Sequence, residues 1–161
     1  MNIIDEAGIL AIATRLQRLS DNIRKDGTAI YKSFSIDFDP KWFPVIYTLY
    51  KRKSMNVVEL ANQIGYSHPS TIVLLKELEK NKLIKSKKDK ADERKRILTL
   101  SAKGNDLVEK VQPIWELIIQ GMTEITNTEN NLMKAISEVE SELEKASLIQ
   151  RVIRLKSENT D

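Results

Sequence analysis

The stretch ELANQIGYSHPSTIVLLKELEKNKLIKSKKDKADERKRILTLSAKG, residues 59–104, combines two helix patterns, two strand patterns and a run of positive charge. The first helix pattern stops at Gly65, a residue type that commonly ends helices. Ser67 follows as a capping residue for the second helix, HPSTIVLLKELEKNK, residues 68–82. Helical spacing predicts that one face of this second helix is buried. That face consists of Thr71, Leu74, Leu75 and Leu78.

Two short strand patterns come next, KLIKS at residues 82–86 and RILTL at residues 96–100. They are joined by KKDKADERK, and we call residues 82–100 the wing. From Lys76 to Lys103 there are eleven bases and five acids, net +6, whereas the rest of the chain has fifteen bases and eighteen acids, net −3. Such an asymmetry is expected of a polyanion-binding surface. A solvated, lysine-rich loop is the alternative interpretation.

The order helix, glycine turn, serine-capped helix, strand, charged loop, strand is the chain order of a winged helix-turn-helix. In that arrangement the second helix enters the major groove of DNA, and the hairpin places its tip alongside. A basic, extended tip suits phosphates or the minor groove, where the potential is most negative. The sequence therefore predicts a mainly α fold with a small antiparallel β-hairpin.

Amphipathic helices flank this module on both sides. Ile9, Ile12, Leu16, Leu19 and Ile23 predict a helix over about residues 5–25, which Gly27 would end. The segment at residues 29–39 alternates around aromatic and aliphatic side chains and reads as a short strand or an extended linker. Beyond the wing, Ser101 caps a long helix, and a capping-box spacing at residues 126–129 predicts one last helix.

The bulk composition restricts the class of protein. The 161 residues are 41% hydrophobic and 30% charged, which fits one compact domain or one small domain with a helical extension. No apolar run is long enough to span a bilayer, and the amino terminus carries acids where a secretory signal carries bases, so we expect a cytoplasmic protein. The absence of cysteine excludes disulfides and thiolate metal sites.

The segment from Glu59 to Ile84, followed by ADERKRILTLSAKG, resembles the MarR family of bacterial transcriptional regulators. The wing signature of that family is Asp, any residue, Arg, then a strand that ends in Leu-Thr-x-x-Gly. The matching residues are Asp92, Arg94, Leu100, Ser101 and Gly104, with Ser in place of Thr. The helix before the module and those after it resemble the dimerisation helices of the family. The resemblance thus covers about the whole chain.

The resemblance implies roles for individual wing residues. Arg94 would enter the minor groove, and Asp92 would hold the geometry of the tip. A local ion pair between these two, which only shapes the hairpin, is the alternative. Basic side chains on both sides of the tip would meet phosphates, namely Lys87, Lys88, Lys90, Lys95 and Arg96.

The helix at residues 68–82 departs from the family pattern. Ile72 and Val73 stand where threonine and arginine are common, and neither can read a base edge by hydrogen bonding. They could pack against thymine methyl groups or be partly buried by the wing. The polar side chains that could contact DNA are Ser67, His68, Ser70 and Lys76. His68 is the only histidine and has no second ligand at helical spacing, so we expect no metal site.

A domain division follows from these assignments. Residues 1–38 form an N-terminal dimerisation helix and linker, residues 39–104 the DNA-binding module, and residues 105–161 the C-terminal dimerisation helices. The last segment carries eleven acids and six bases, so it should face away from DNA. The alternative is that the outer helices fold back over their own module. Family resemblance also implies a ligand pocket, for which Trp42, Phe43, Tyr47 and Trp115 are candidates, although aromatics at helical spacing more often belong to a core.

The sequence as a whole predicts a homodimeric, sequence-specific regulator that binds a pseudo-palindromic DNA duplex and is released by a small molecule. A winged-helix module that contacts proteins, with Ile72 and Val73 as the contact surface, is the alternative. No phosphate-binding glycine loop, histidine pair or carboxylate pair indicates an enzyme, and no cofactor is predicted.

Overall fold

The computed structural model describes residues 2–88 and 96–159. Its elements are α1 (Ile3–Glu6), a 3-10 turn (Gly8–Ala11), α2 (Ile12–Ser33), a second 3-10 turn (Pro40–Trp42), α3 (Phe43–Arg52), β1 (Ser54–Asn56), α4 (Val57–Ile64), α5 (His68–Lys80), β2 (Ile84–Lys88), β3 (Arg96–Leu100), α6 (Ala102–Thr126), α7 (Leu132–Lys145) and α8 (Leu148–Glu158).

The described part of the chain contains one antiparallel sheet of three strands in the order β1-β3-β2. The hairpin predicted from KLIKS and RILTL is confirmed: β2 and β3 pair from Ile84 opposite Leu100 to Lys88 opposite Arg96. The prediction missed β1, which pairs with the other edge of β3 through Ser54 opposite Thr99. With only three residues, β1 is too short to show an alternating pattern. The central position of β3 fixes the base of the wing from both sides.

The predicted helix pair is confirmed as α4 and α5. Asn56 caps α4 through a reciprocal capping box with Glu59. Gly65 ends α4 in the left-handed region, with φ of 70°, and the Tyr66 backbone N–H bonds to the Ala61 carbonyl oxygen at 3.1 Å. Glycine adopts this conformation without steric cost, so the turn between the two helices is set by local sequence.

The core lies between α3, α4, α5, the sheet and the first part of α6. Its completely buried side chains come from all of these elements, so the sheet and the helices share one apolar interior. They include Val45, Ile46, Leu49, Leu60, Leu78, Leu98, Val108 and Val111. Thr71 and Ser101 are the buried polar residues among those described, and each is hydrogen-bonded.

The prediction for the N-terminal helix was wrong at both ends. The chain forms α1, a 3-10 turn and then α2, which runs through Gly27 to Ser33. A glycine inside a helix costs about 1 kcal/mol relative to alanine, and tertiary contacts offset that cost here. Tyr31, in the last turn, is buried, and its ring lies 4.6 Å from that of Phe38. Of the segment expected to be a strand or linker, residues 29–33 belong to α2, residues 34–35 form a turn, and residues 36–39 form a linker without a strand.

The last predicted helix is in fact two helices. The chain turns at residues 127–131, Asn131 caps α7, and α7 ends at Lys145. Ala146 is extended, with φ of −157° and ψ of 130°, and Ser147 caps α8 with Gln150 in a capping box. This Ser-x-x-Gln signal was available in the sequence. The continuous apolar spacing hid it, because a stripe can pass through a two-residue break.

The chain forms two compact units, Met1–Ile114 and Trp115–Asp161. This division falls within α6, and the boundaries expected at residues 39 and 105 stay predictions. In the second unit, α7 and α8 bury none of their residues. Across residues 2–88 and 96–159, no helix combines the length and apolarity that crossing a membrane requires.

Candidate nucleic-acid interface

The amino-terminal turn of α5 is built by two serines and a threonine. The Ser67 hydroxyl oxygen accepts a hydrogen bond from the Ser70 backbone N–H at 3.3 Å, and it donates to the Ser70 hydroxyl at 2.8 Å. The Thr71 hydroxyl donates to the Ser67 carbonyl oxygen at 3.0 Å. The predicted cap is therefore present. It leaves the first turn of α5 exposed at the surface, with backbone donors at a positively polarised helix end.

The two faces of α5 differ as the sequence predicted. Thr71, Leu74, Leu75 and Leu78 are all buried. On the outer side, His68, Ser70 and Lys76 are exposed. Val73 is 68% exposed, so the described part of the wing does not bury it, whereas Ile72 is half-buried. The outer surface of α5 is thus mainly polar and basic, and Pro69 and Val73 are its exposed apolar residues.

A cluster around Glu77 holds α5 against the end of the linker, and sequence reasoning missed it. The Trp42 indole N–H donates to Glu77 Oε1 at 2.8 Å, and the Lys41 ammonium lies 2.9 Å from the same oxygen. Lys41 also pairs with Asp39 at 3.1 Å. The hydrogen bonds from Lys41 and then Trp42 lower the pKa of Glu77. The cluster connects the middle of α5 to the segment that follows α2.

A second glutamate ties α5 to the wing. Arg96, at the start of β3, donates from Nη2 to Glu79 Oε1 at 2.8 Å and to the hydroxyl of Ser86 on β2. The sequence analysis assigned Arg96 to a DNA phosphate, but in this structure its guanidinium bridges α5 and both wing strands. No spacing rule could have found this pair, because Glu79 and Arg96 meet only when the hairpin packs beside α5.

The root of the wing is packed closely against the start of α6. The Ser101 hydroxyl donates to the Lys82 carbonyl oxygen at 2.6 Å and accepts from the Gly104 backbone N–H at 2.9 Å. A Cβ atom at Gly104 would lie 2.0 Å from the Leu83 carbonyl oxygen. The serine and glycine of the wing signature therefore have a physical reason: they allow the helix and the hairpin to share one hydrogen-bonded corner.

The remaining wing residues fall into two groups. Lys87 and Lys88 are exposed on β2. Lys90, Asp92, Arg94 and Lys95 lie outside the described residues, and their assigned roles stay predictions. In the described part of the chain, no group of three or more His, Asp or Glu side chains could hold a metal ion.

The four aromatic candidates for a ligand pocket occupy different environments. Trp42 is buried, with its ring 5.9 Å from that of Phe38 in an edge-on arrangement, so it belongs to the core. Phe43 and Tyr47 stack at 5.1 Å on α3, and each is 39% exposed. Trp115 is buried and belongs to the second unit. A separate open groove of about 630 Å³ runs along the N-terminal residues Ile9 to Asn22 and is lined by none of these four.

A capped, half-exposed helix beside a basic hairpin, both held on one core, defines a winged helix-turn-helix protein. Residues 40–95 match the model of the MarR family. This match confirms, for residues 40–95, the resemblance seen in the wing and the helix pair. No curated protein sequence matches the chain.

Solved structures of transcriptional regulators share this fold. The Mycobacterium tuberculosis regulator MosR, in complex with DNA, is 17% identical with a TM-score of 0.71, over 85% of this chain and 98% of that one. The Staphylococcus aureus MepR–DNA complex is 18% identical with a TM-score of 0.68, over 83% and 96%. Bordetella bronchiseptica BpsR, described for regulation of its DNA binding by 6-hydroxynicotinic acid, is 20% identical with a TM-score of 0.58, over 79% and 97%.

Proposed function

We propose that this chain is a homodimeric, sequence-specific DNA-binding regulator of transcription, a repressor that a small-molecule ligand releases from its operator. The observation that carries the proposal is the placement of an exposed first turn of α5 and a basic hairpin within one unit. The Arg96–Glu79 bond joins these two elements directly. The DNA complexes of MosR and MepR, which share the fold, support the same conclusion.

In this proposal α5 lies in the major groove and the wing follows the adjacent backbone. The first turn of α5 offers Ser67, His68 and Ser70 to phosphates and base edges, and Lys76 lies further along the helix. Lys87 and Lys88, together with Lys90 and Lys95, neutralise phosphates. Arg94 enters the minor groove, and Asp92 fixes the tip that carries it.

Unpaired apolar faces support a dimer. On α2, Ile12, Leu16 and Leu19 are 48%, 50% and 40% exposed. On α8, Val152 and Ile153 are 51% and 60% exposed. Stripes of this size at helical spacing are typical of interfaces, and a second copy of the chain presents the same stripes. A two-fold dimer would place two α5 helices in successive major grooves about 34–36 Å apart, which requires a pseudo-palindromic operator.

Ligand release is proposed from the aromatic side chains. BpsR, described as regulated by 6-hydroxynicotinic acid, shares the fold. Of the four aromatic candidates, Phe43 and Tyr47 combine stacking geometry with exposure, while Trp42 and Trp115 are buried. A ligand that favours one spacing of the two α5 helices would weaken DNA binding by population shift. We assign no catalytic activity, and a regulator of this kind acts in the cytoplasm, beside the chromosome.

The test begins with duplexes selected by the purified full-length protein from a random pool at low salt. Fluorescence anisotropy should then give a binding constant that falls steeply as salt rises, and sedimentation should show a dimer on one duplex. Arg94→Ala should weaken binding about ten-fold or more, since a minor-groove arginine and a phosphate neutraliser are lost together. Lys134→Ala removes an exposed cation from α7, is the matched control and should leave affinity unchanged.

Two results would contradict the proposal at different points. If Arg94→Ala binds the duplex with wild-type affinity, the proposed contact of the wing with the minor groove is wrong. If no duplex is selected at low salt, the chain is a winged-helix module that contacts proteins, with the exposed Val73 as part of its surface.

A further inference from the structure

The outer ridge of α5 has one apolar member in an otherwise polar setting. Ser70, Val73 and Lys76 follow one another at intervals of three residues, so their side chains lie along one line of the helix surface. Val73 is 68% exposed, while the core contacts of the helix come from Thr71, Leu74, Leu75 and Leu78. Packing within the described chain therefore does not explain a valine at this position.

The two neighbours of Val73 along the ridge are polar side chains that can form hydrogen bonds. The Ser70 hydroxyl is hydrogen-bonded to the Ser67 hydroxyl at 2.8 Å. Lys76 carries a flexible amine that can move between phosphates and purine acceptors. Valine has no donor or acceptor, and on a helix it holds essentially one rotamer. It therefore presents a fixed pair of methyl groups at the centre of the exposed face.

Only one base edge in the major groove offers an apolar partner. Adenine, guanine and cytosine present hydrogen-bonding groups there, whereas thymine adds its C5 methyl group. A valine pressed against a hydrogen-bonding edge would leave that edge unpaired, and a valine against the thymine methyl buries apolar surface on both sides.

We infer that Val73 is a specificity-determining residue that selects thymine at one position in each operator half-site, through contact with the thymine C5 methyl group. This inference rests on the proposed DNA-binding function and adds to it the base that α5 reads. Lys76, one turn further along, then contacts a phosphate or a purine next to that thymine.

The experiment removes only the C5 methyl group of thymine. In the duplex selected by the wild-type protein, thymines are replaced by uracil one symmetric pair at a time, and anisotropy measures the thymine-to-uracil affinity ratio. At one pair the ratio should be about four per half-site, or about fifteen for both, as expected for one buried methyl group at each. In Val73→Ala the ratio at that pair should fall to near one.

Val58→Ala is the matched control, because Val58 is also exposed, at 59%, but lies on α4. It should keep the wild-type ratio at every position, even if its overall affinity changes. A ratio near one at all thymines in the wild-type protein would overturn the inference, as would an unchanged ratio in Val73→Ala, while both leave the proposed function standing. If no duplex binds at all, the proposed function fails and the inference fails with it.

Discussion

The helices α5 and α7 are nearly equal in length, 13 and 14 residues, and both are amphipathic. The first buries four side chains within its own unit. The second buries none, and Met133, Val139 and Leu143 remain 59%, 54% and 51% exposed. An apolar stripe thus predicts that a helix face will be covered, but not which surface covers it. For α5 the cover is the chain's own core, and for α7 we propose a second copy.

The largest expected effect comes from replacing one leucine on each of these two helices by alanine. Leu78→Ala empties a completely buried site, so it should lower the free energy of unfolding by about 3 to 4 kcal/mol. Leu143→Ala removes a half-exposed side chain, so its effect should appear in self-association, weakened about ten-fold or more. Urea unfolding at several protein concentrations, combined with sedimentation, measures both.

The cost of Leu78→Ala should not change with protein concentration. The cost of Leu143→Ala should be near zero at concentrations where the wild type is monomeric, and it should grow to a plateau as the wild type dimerises. Equal, concentration-independent costs would show that α7 is covered by its own chain, and the comparison would no longer hold.

The next largest effect on stability is expected when two glycines of α6, one in each unit, are replaced by alanine. Gly104→Ala would bring a Cβ atom to 2.0 Å from the Leu83 carbonyl oxygen, so the backbone at that corner would have to shift. We expect a loss of about 2 kcal/mol or more in the free energy of unfolding. At Gly121 a Cβ atom would meet nothing within 4 Å, so Gly121→Ala should stabilise the chain by about 0.5 to 1 kcal/mol.

Thermal unfolding of the two glycine variants, followed by circular dichroism, gives the comparison in one experiment. If Gly104→Ala unfolds at or above the wild-type temperature, the close packing of the wing root against α6 is refuted.

The smallest effect on stability is expected at Arg96. This residue either positions the wing through Glu79 or contacts a DNA phosphate, and the two roles predict different DNA-binding results. As an exposed ion pair with Glu79, it should contribute less than about 1 kcal/mol to stability. If it positions the wing, Arg96→Ala and Glu79→Gln should lower the ratio of operator to scrambled-duplex affinity equally. The double variant should then be no worse than either single one. Removing the acidic side chain of Glu79 raises the affinity for any DNA. The ratio of operator to scrambled-duplex affinity cancels this general increase.

Lys87→Ala is the control for a phosphate contact, and it should reduce the slope of log affinity against log salt by about one per half-site. The same reduced slope in Arg96→Ala, together with no effect of Glu79→Gln, would return Arg96 to the phosphate role expected from sequence.

Much of the candidate interface could be predicted because its signals are local. Ser67 and Gly65 define the turn through their own backbone preferences, and the inward face of α5 follows from helical spacing. The strands of the wing were found because apolar alternation resumes at RILTL. In contrast, the bonds of Glu77 and Glu79 join residues 35 and 17 positions apart in the chain. No periodic pattern contains such a pair.

The errors have the same physical origin. Gly27 was interpreted as a helix end because glycine is a poor helix former, yet α2 continues past it. Tyr31 is buried against Phe38 in the last turn of α2, and this packing stabilises the helix beyond Gly27. The strand β1 was missed because pairing with β3, rather than its own three residues, makes it a strand.

The sequence by itself determined where α4 ends and α5 begins, which face of α5 turns inward, and where positive charge is concentrated. These depend on backbone preferences and on spacing within a few residues. Only the tertiary structure decided that Arg96 bonds to Glu79, that Trp42 anchors Glu77, and that Val73 is left exposed. Those outcomes depend on which distant surfaces meet when the core closes, and that is fixed by the packing of the whole unit.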